Sequence, residues 1–282
     1  DIDVPEKIEK WDKIPVPACW QLHGYDVPNY TNINYPYPYD IPYVPDDNPC
    51  GVYRRKFDIA KKWGKIYFVF EGVSSCASLY INGDYVGFTQ GSRLQAEFDI
   101  TDFVTEGENQ VTVKVLKWCC GSYLEDQDAF RYNGIFRDVY LLQRPQGHIE
   151  DIDLIPNEKN FHLKLNGVAT IRVFEGEQLL CQSEMNDEFI YAPENPVLWN
   201  AEKPYLYTLV IEEKGEFIPV KIGFRTQSVS QKGELLINGV PVKLFGVNHH
   251  DTSKFRGWCQ SDEELLADLK LMKELNINSC SQ

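Results

Sequence analysis

The sequence runs to 282 residues, with 28 Lys and Arg against 42 Asp and Glu, for a net charge of −14. That length suits one large or two medium domains, and 43% hydrophobic residues are enough to build a buried core. The acidity excludes the basic footprint of a nucleic-acid binder, and no apolar run reaches the roughly 18 residues of a membrane helix, so neither is an expected partner.

The one basic trio, Arg54-Arg55-Lys56, sits in an alternating strand pattern and reads as a solvated face. Eight cysteines carry no CxxC and no Cys/His ligand spacing, which argues against zinc and for reduced thiols in a cytoplasmic protein. The first residue is Asp1 rather than Met, so a trimmed leader stays open. Aromatic residues make up 13% of the chain. They suit either a β-rich core or stacking on sugar faces.

In chain order, residues 34–49 (NYPYPYDIPYVPDDNP) hold too many prolines for regular structure. They read as a long loop over a sheet or as a polyproline-type ligand. From 51 to 144 short strands alternate with turns: VYRRKFDI (52–59), KIYFVFEGV (65–73), CASLYING (76–83), YVGFTQG (85–91), EFDITDFV (97–104), NQVTVKVLKW (109–118) and GIFRDVYLLQRP (134–145). Asn82-Gly83 marks a hairpin turn. About eight strands at this spacing predict a β-sandwich or jelly roll. Residues 148–226 predict about seven more short strands, the size of an immunoglobulin-like sandwich.

After 227 the pattern changes. GELLINGVPVKLFGVNHH (233–250) reads as a hairpin and an apolar strand. SDEELLADLKLMKELN (261–276) reads as a helix with Ser261 as N-cap and Glu264 closing a capping box. Leu265, Leu266, Leu269, Met272 and Leu275 form its expected buried stripe. INSCSQ then begins another strand. One strand–helix–strand unit cannot cover both faces of a sheet, and a complete (β/α)8 barrel needs about 250 residues. The last stretch is therefore expected to be the opening of a truncated barrel, in a fragment or one piece of a larger assembly.

The most unusual stretch is GSYLEDQDAFRYNGIFRDV (121–139). It sets Glu125, Asp126 and Asp128 together, where like charges oppose one another, and surrounds them with Tyr123, Phe130, Tyr132 and Phe136. From the residues alone this is either a solvated acidic turn or a ligand site.

With WQLHGYDVPNYTNINYP (20–36), SRLQAEFDI (92–100), PVLWNAEKPYLYTL (196–209), IGFR (222–225) and LFGVNHHD (244–251), it resembles the large bacterial β-galactosidases of glycoside hydrolase family 2, collinearly from about Trp11 to Asn278. LEDQD followed by NGIFRDV carries the β-galactosidase branch; the WNAEKPYLYTL and IGFR pieces are shared across the family. The resemblance implies a sugar-binding jelly roll over 1–146, an immunoglobulin-like sandwich over 147–226 and the first βα unit of the catalytic barrel over 227–282.

The resemblance also implies site residues. Asp128 is expected to bind galactose hydroxyls and to help hold a sodium ion. Asn32 is expected to contact substrate with an amide that both donates and accepts; on its residues alone it reads as a turn former beside prolines. His250 is expected at the C-terminal end of the first barrel strand, where barrel active sites lie; alone it reads equally as a polar loop residue. His249 stands where relatives have Arg, and Cys120 where they have an acid linked to a divalent ion.

Retaining hydrolysis needs two carboxyl groups about 5–5.5 Å apart, and the family's catalytic glutamates belong to later barrel strands. The resemblance thus implies a non-catalytic N-terminal portion of a β-galactosidase, inactive alone. Its full-length parent would be a homo-oligomer using sodium and magnesium, with neither ion bound by this fragment. The alternatives are a stand-alone carbohydrate-binding sandwich, or one chain of a two-chain enzyme whose partner supplies the missing barrel.

Overall fold

The computed structural model describes residues 8, 10–32, 34–125 and 127–281. The chain forms two compact units, one of Asp1–Gln143 with His250–Leu269 and one of Arg144–His249 with Lys270–Gln282. No helix among the described residues is long and apolar enough to cross a membrane.

The first unit is a β-sandwich. One sheet runs Cys50–Ile59, Gly107–Leu116, Cys76–Ile81, Asp84–Gln90; the other runs Val139–Arg144, Lys65–Phe70, Ala96–Asp99. Alternation decides which side faces in. Val111, Val113 and Val115 point from one strand into a core with Leu79, Ile81, Phe68 and Phe70, while the residues between them stay part-exposed. The hairpin at Asn82-Gly83 forms as expected, with φ of 54° and 97° at its two central residues, a backbone only Asn and Gly adopt readily. Arg54, Arg55 and Lys56 are all exposed.

Residues 34–49 contain no helix or strand among those described and lie over the sandwich as a loop. Tyrosines hold it there. Tyr35 packs at a tilt and Tyr37 edge-to-face against Tyr123, Tyr37 also meets Trp118 edge-on at 4.9 Å, and the Tyr123 hydroxyl donates to the Tyr43 carbonyl at 2.7 Å. This places several of the chain's aromatic residues in structure rather than at a ligand surface.

The second unit has fewer and longer strands than the sequence suggests: Asp153–Pro156, Phe161–Glu175, Gln178–Tyr191, Tyr207–Glu213 and Glu216–Ile222 in one five-stranded sheet. Gly167 sits at a bulge within the strand Phe161–Glu175. Its φ is +124°, and its N–H donates to the Asp187 carboxylate at 3.2 Å. The strand continues through it, exchanging Asp153–Pro156 for Tyr207–Glu213 along one edge. The crease lets Phe161 and Leu163 from one half share a core with Ile171 and Val173 from the other, which produces the immunoglobulin-like sandwich from a folded sheet.

A hairpin follows over Leu235–Ile237 and Val240–Pro241. Gly246–Asn248 then pairs in parallel with Ser279–Ser281, and the helix Asp262–Glu274 lies between them in sequence. This is one barrel-type βαβ unit. The capping box is present: the Ser261 N–H donates to Glu264 Oε2 at 3.0 Å, and the Glu264 N–H donates to Ser261 Oγ at 3.3 Å. Asn276 leaves the helix with φ +59°. The apolar stripe differs from expectation. No helix residue is buried, and Leu266, Leu269 and Leu275 are 51%, 48% and 63% exposed. Leu265 and Met272 are half-buried: helical spacing assigns a face, and burial needs a partner surface, which here is only partial.

Candidate sugar-binding site

The acidic turn divides in two. Glu125 turns inward, accepting from the Ser92 N–H and the Ser92 hydroxyl, each at 2.6 Å. Ser92 is fully buried, so this carboxylate is committed to holding the turn against SRLQAEFDI. Asp128 turns outward and is exposed. Asp126 lies outside the described residues. The crowding seen in sequence is thus relieved between Glu125 and Asp128 by opposite orientation.

Asp128 is joined to Asn32 by an element the sequence does not announce. Asn29–Thr31 pairs antiparallel with Ala129–Arg131, with Tyr30 opposite Phe130 and Thr31 opposite Ala129. The next step of that register sets Asn32 and Asp128 at the same end of the ladder. Tyr30 completes the link. Its hydroxyl donates to Asp128 Oδ1, and the Asn32 side chain is close enough to act on the same phenol. Donation to Asp128 holds the phenol above its ordinary pKa, with desolvation and the aspartate charge adding and the Asn32 side chain opposing.

The ladder has a rigid base. Asn133, 2% exposed, accepts from Gln21 Nε2 at 2.9 Å, donates its N–H to Gln21 Oε1 at 2.9 Å, and donates its amide to the Lys117 carbonyl at 3.0 Å. Lys117 is itself buried, with Nζ 2.5 Å from Asp26 Oδ2, just ahead of the strand that carries Tyr30. A buried amide network at Asn133 and the Lys117–Asp26 pair thus lie next to the two strands of the ladder in sequence, while Asn29 Oδ1, within the ladder, is buried without a protein partner.

Its aromatic residues sort by exposure. Tyr123, Tyr132 and Phe136 are buried, whereas Tyr30 and Phe130 are 55% and 50% exposed and meet edge-to-face at 5.5 Å. The exposed surface thus offers two ring edges beside an amide, a phenol and a carboxylate. That combination suits a polyhydroxylated ring with apolar C–H faces.

His250 is exposed, two residues beyond the end of Gly246–Asn248. It is supplied by a different element from Asn32 and Asp128. The His249 N–H donates to the Ser281 carbonyl at 2.8 Å, extending the parallel pair.

Cation sites fit poorly. Asp128 offers the oxygen chemistry a hard cation needs. Among the described residues, however, no grouping of three or more His, Cys, Asp or Glu side chains is arranged to hold a metal. Cys120 is a soft thiol that donates to Gln90 Oε1 at 3.4 Å, a poor ligand for magnesium.

Comparison with known proteins gives one consistent family. The model for the glycosyl hydrolases family 2 sugar binding domain matches residues 2–145, that for glycosyl hydrolases family 2 matches 148–225, and that for the family 2 TIM barrel domain matches 229–282. A β-galactosidase of Actinobacillus pleuropneumoniae is 44% identical over 279 residues, taking in 95% of this chain and 28% of the relative. One of Pseudoalteromonas haloplanktis is 36% identical over 315 residues, taking in 97% and 30%. The chain thus spans under a third of the length of these relatives. Among solved structures, a β-glucuronidase from an uncultured Clostridium sp. superposes with a TM-score of 0.75 at 24% identity, over 98% of this chain and 49% of that one. At that identity the likeness concerns the fold.

Proposed function

The chain belongs to glycosyl hydrolase family 2, and from that premise we propose that it is the substrate-positioning, non-catalytic portion of a retaining β-galactosidase acting on terminal β-D-galactosyl residues. Asn32 and Asp128 hydrogen-bond the galactose hydroxyls, with Tyr30 between them fixing both side chains. His250 adds a further contact from the end of the first barrel strand. The observation that carries the reading is the exposed ladder that brings Asn32 and Asp128 to one end, with the Tyr30 hydroxyl donating to Asp128 between them.

On this reading the acid/base and nucleophile carboxyl groups, which must stand about 5–5.5 Å apart across the anomeric carbon, come from barrel strands outside these residues. The work of this chain is to orient the sugar. Sodium and magnesium are assigned to the whole enzyme, with Asp128 as one oxygen ligand for sodium, and no step is drawn through either. A cytoplasmic location accords with eight free thiols, and the whole protein is proposed to be a homo-oligomer, as the resemblance implies.

The test is hydrolysis of a chromogenic β-galactoside by the 282-residue chain, alone and joined to a family 2 barrel that supplies the later strands. No turnover alone and turnover when joined are expected. Robust turnover by the chain alone overturns the reading. Tight galactose binding by the chain alone in a calorimetric titration instead favours a stand-alone carbohydrate-binding protein, for which the exposed Tyr30 and Phe130 rings speak.

A further inference from the structure

Cys19 and Cys259 lie 240 positions apart in sequence, yet their sulfurs are 3.8 Å apart, at hydrogen-bonding distance. The approach is built into the backbone. Gly257 has φ +59°, and a Cβ there would meet Cys19 Sγ at 3.2 Å and the Tyr132 ring at 3.2 Å. A side chain at Gly257 would press these neighbours back by a few tenths of an ångström, so glycine lets the Ser253–Gly257 turn sit this close. Tyr132, Phe136 and Trp258 pack around the two thiols.

The two sulfurs differ in access. Cys19 is 1% exposed. Cys259 is half-buried and lines an open cavity of about 450 Å³ that it shares with Arg137, Arg256, Asp138 and Asp251. We propose that Cys259 and Cys19 are a thiol–disulfide exchange pair that a low-molecular-weight disulfide, entering this cavity, converts to an internal disulfide.

Cys259 attacks one sulfur of the small disulfide. That S–S bond breaks, and the first small thiol leaves carrying the proton Cys259 gave up. Cys19 then attacks the Cys259 sulfur of the mixed disulfide, and the second small thiol leaves with the proton of Cys19. Two protein thiols are oxidised, one small disulfide is reduced to two thiols, and no other reactant is needed. The division of labour follows the environment. The hydrogen bond from Cys19 lowers the Cys259 pKa, and the Arg256 charge assists, so Cys259 ionises first. The same bond, with burial, keeps Cys19 protonated. Cys76 and Cys119 form a second hydrogen-bonded thiol pair, at 1% and 8% exposure. Neither lines this cavity, and the pair serves as an internal control.

The experiment treats the protein with oxidised glutathione, blocks remaining thiols with N-ethylmaleimide and maps tryptic peptides by mass spectrometry. A Cys50→Ser background removes the second cysteine from the peptide 14–54. The expected product joins peptide 14–54 to peptide 257–270, and Cys76 and Cys119 stay alkylatable after unfolding. In Cys19→Ser the glutathione adduct is expected to accumulate on Cys259; in Cys259→Ser neither adduct nor link forms at Cys19. A stable glutathione adduct on Cys259 with Cys19 intact, Cys259 left unmodified while Cys120 and Cys280 react, or a Cys76–Cys119 link in place of the expected one each overturns the proposal.

Discussion

Ser92 gives both its N–H and its hydroxyl to one carboxylate, that of Glu125, at 2.6 Å each. Two acids three residues apart thus differ in environment: Glu125 is tied to a buried serine, and Asp128 is exposed. Glu125→Ala is therefore expected to leave two donors of a fully buried serine unpaired. Hydrogen bonds to charged groups contribute about 1.5–3 kcal/mol each, so a loss of about 3 kcal/mol is expected in urea unfolding. An unchanged midpoint refutes the assignment.

Asp128→Asn keeps the shape of the side chain and removes its charge. The fold is expected to hold, since Asp128 is exposed. If the proposed function holds, loss of about 1.5–3 kcal/mol of transition-state contact in the whole protein corresponds to a fall of about 10- to 150-fold in kcat/KM. Tyr30→Phe is expected to give a smaller fall, about fivefold, for the loss of about 1 kcal/mol of orientation. Steady-state kinetics on both variants, alongside unchanged melting curves, check the pair.

Lys117→Ala removes the cation beside Asp26, which is itself 21% exposed at the side chain. Removing one partner of a buried pair costs about 3–5 kcal/mol, and partial exposure sets the expectation at the lower end. Because Asp26 precedes the Tyr30 strand, faster amide exchange is expected in residues 29–31. Destabilisation without that local signature argues against the positioning role.

Glu264 carries a pH signal. Its carboxyl is pulled down to about 2 by the Ser261 N–H first, then by Arg256 and Ser253. A depressed folded-state value contributes stability above the ordinary 4.5 and loses it as pH falls through about 2. Circular dichroism between pH 5 and 2, limits set by those two values, is expected to show the helix Asp262–Glu274 loosening in the native chain. In Glu264→Gln that slope is expected to flatten, and an unaltered slope excludes the capping carboxylate as its source.

Much of this architecture is legible in the sequence because short-range physics writes it there. The alternation of NQVTVKVLKW, the Asn82-Gly83 turn and the Ser261–Glu264 box are all local, and each forms as its residues dictate. What is not legible depends on distance. Nothing local pairs Asn29–Thr31 with Ala129–Arg131, so Tyr30 escapes notice although it joins the two residues singled out. Glu125 and Asp128 look alike in sequence; only the position of Ser92 separates them. The bulge at Gly167 is not local either, because the Asp187 side chain that accepts from its N–H is twenty residues away. The helix stripe is read correctly as a face and wrongly as buried, because a face records chemistry and burial records a neighbour.

The crease at Gly167 carries a mechanical consequence. The hairpin of Phe161–Glu175 with Gln178–Tyr191 spans the bulge, and residues from both sides of it share one apolar interior. Phe161 and Val173 are anchored to the same covalent ribbon and the same apolar interior. The unit should therefore yield to heat or force in a single event, as a folded card opens along its one hinge.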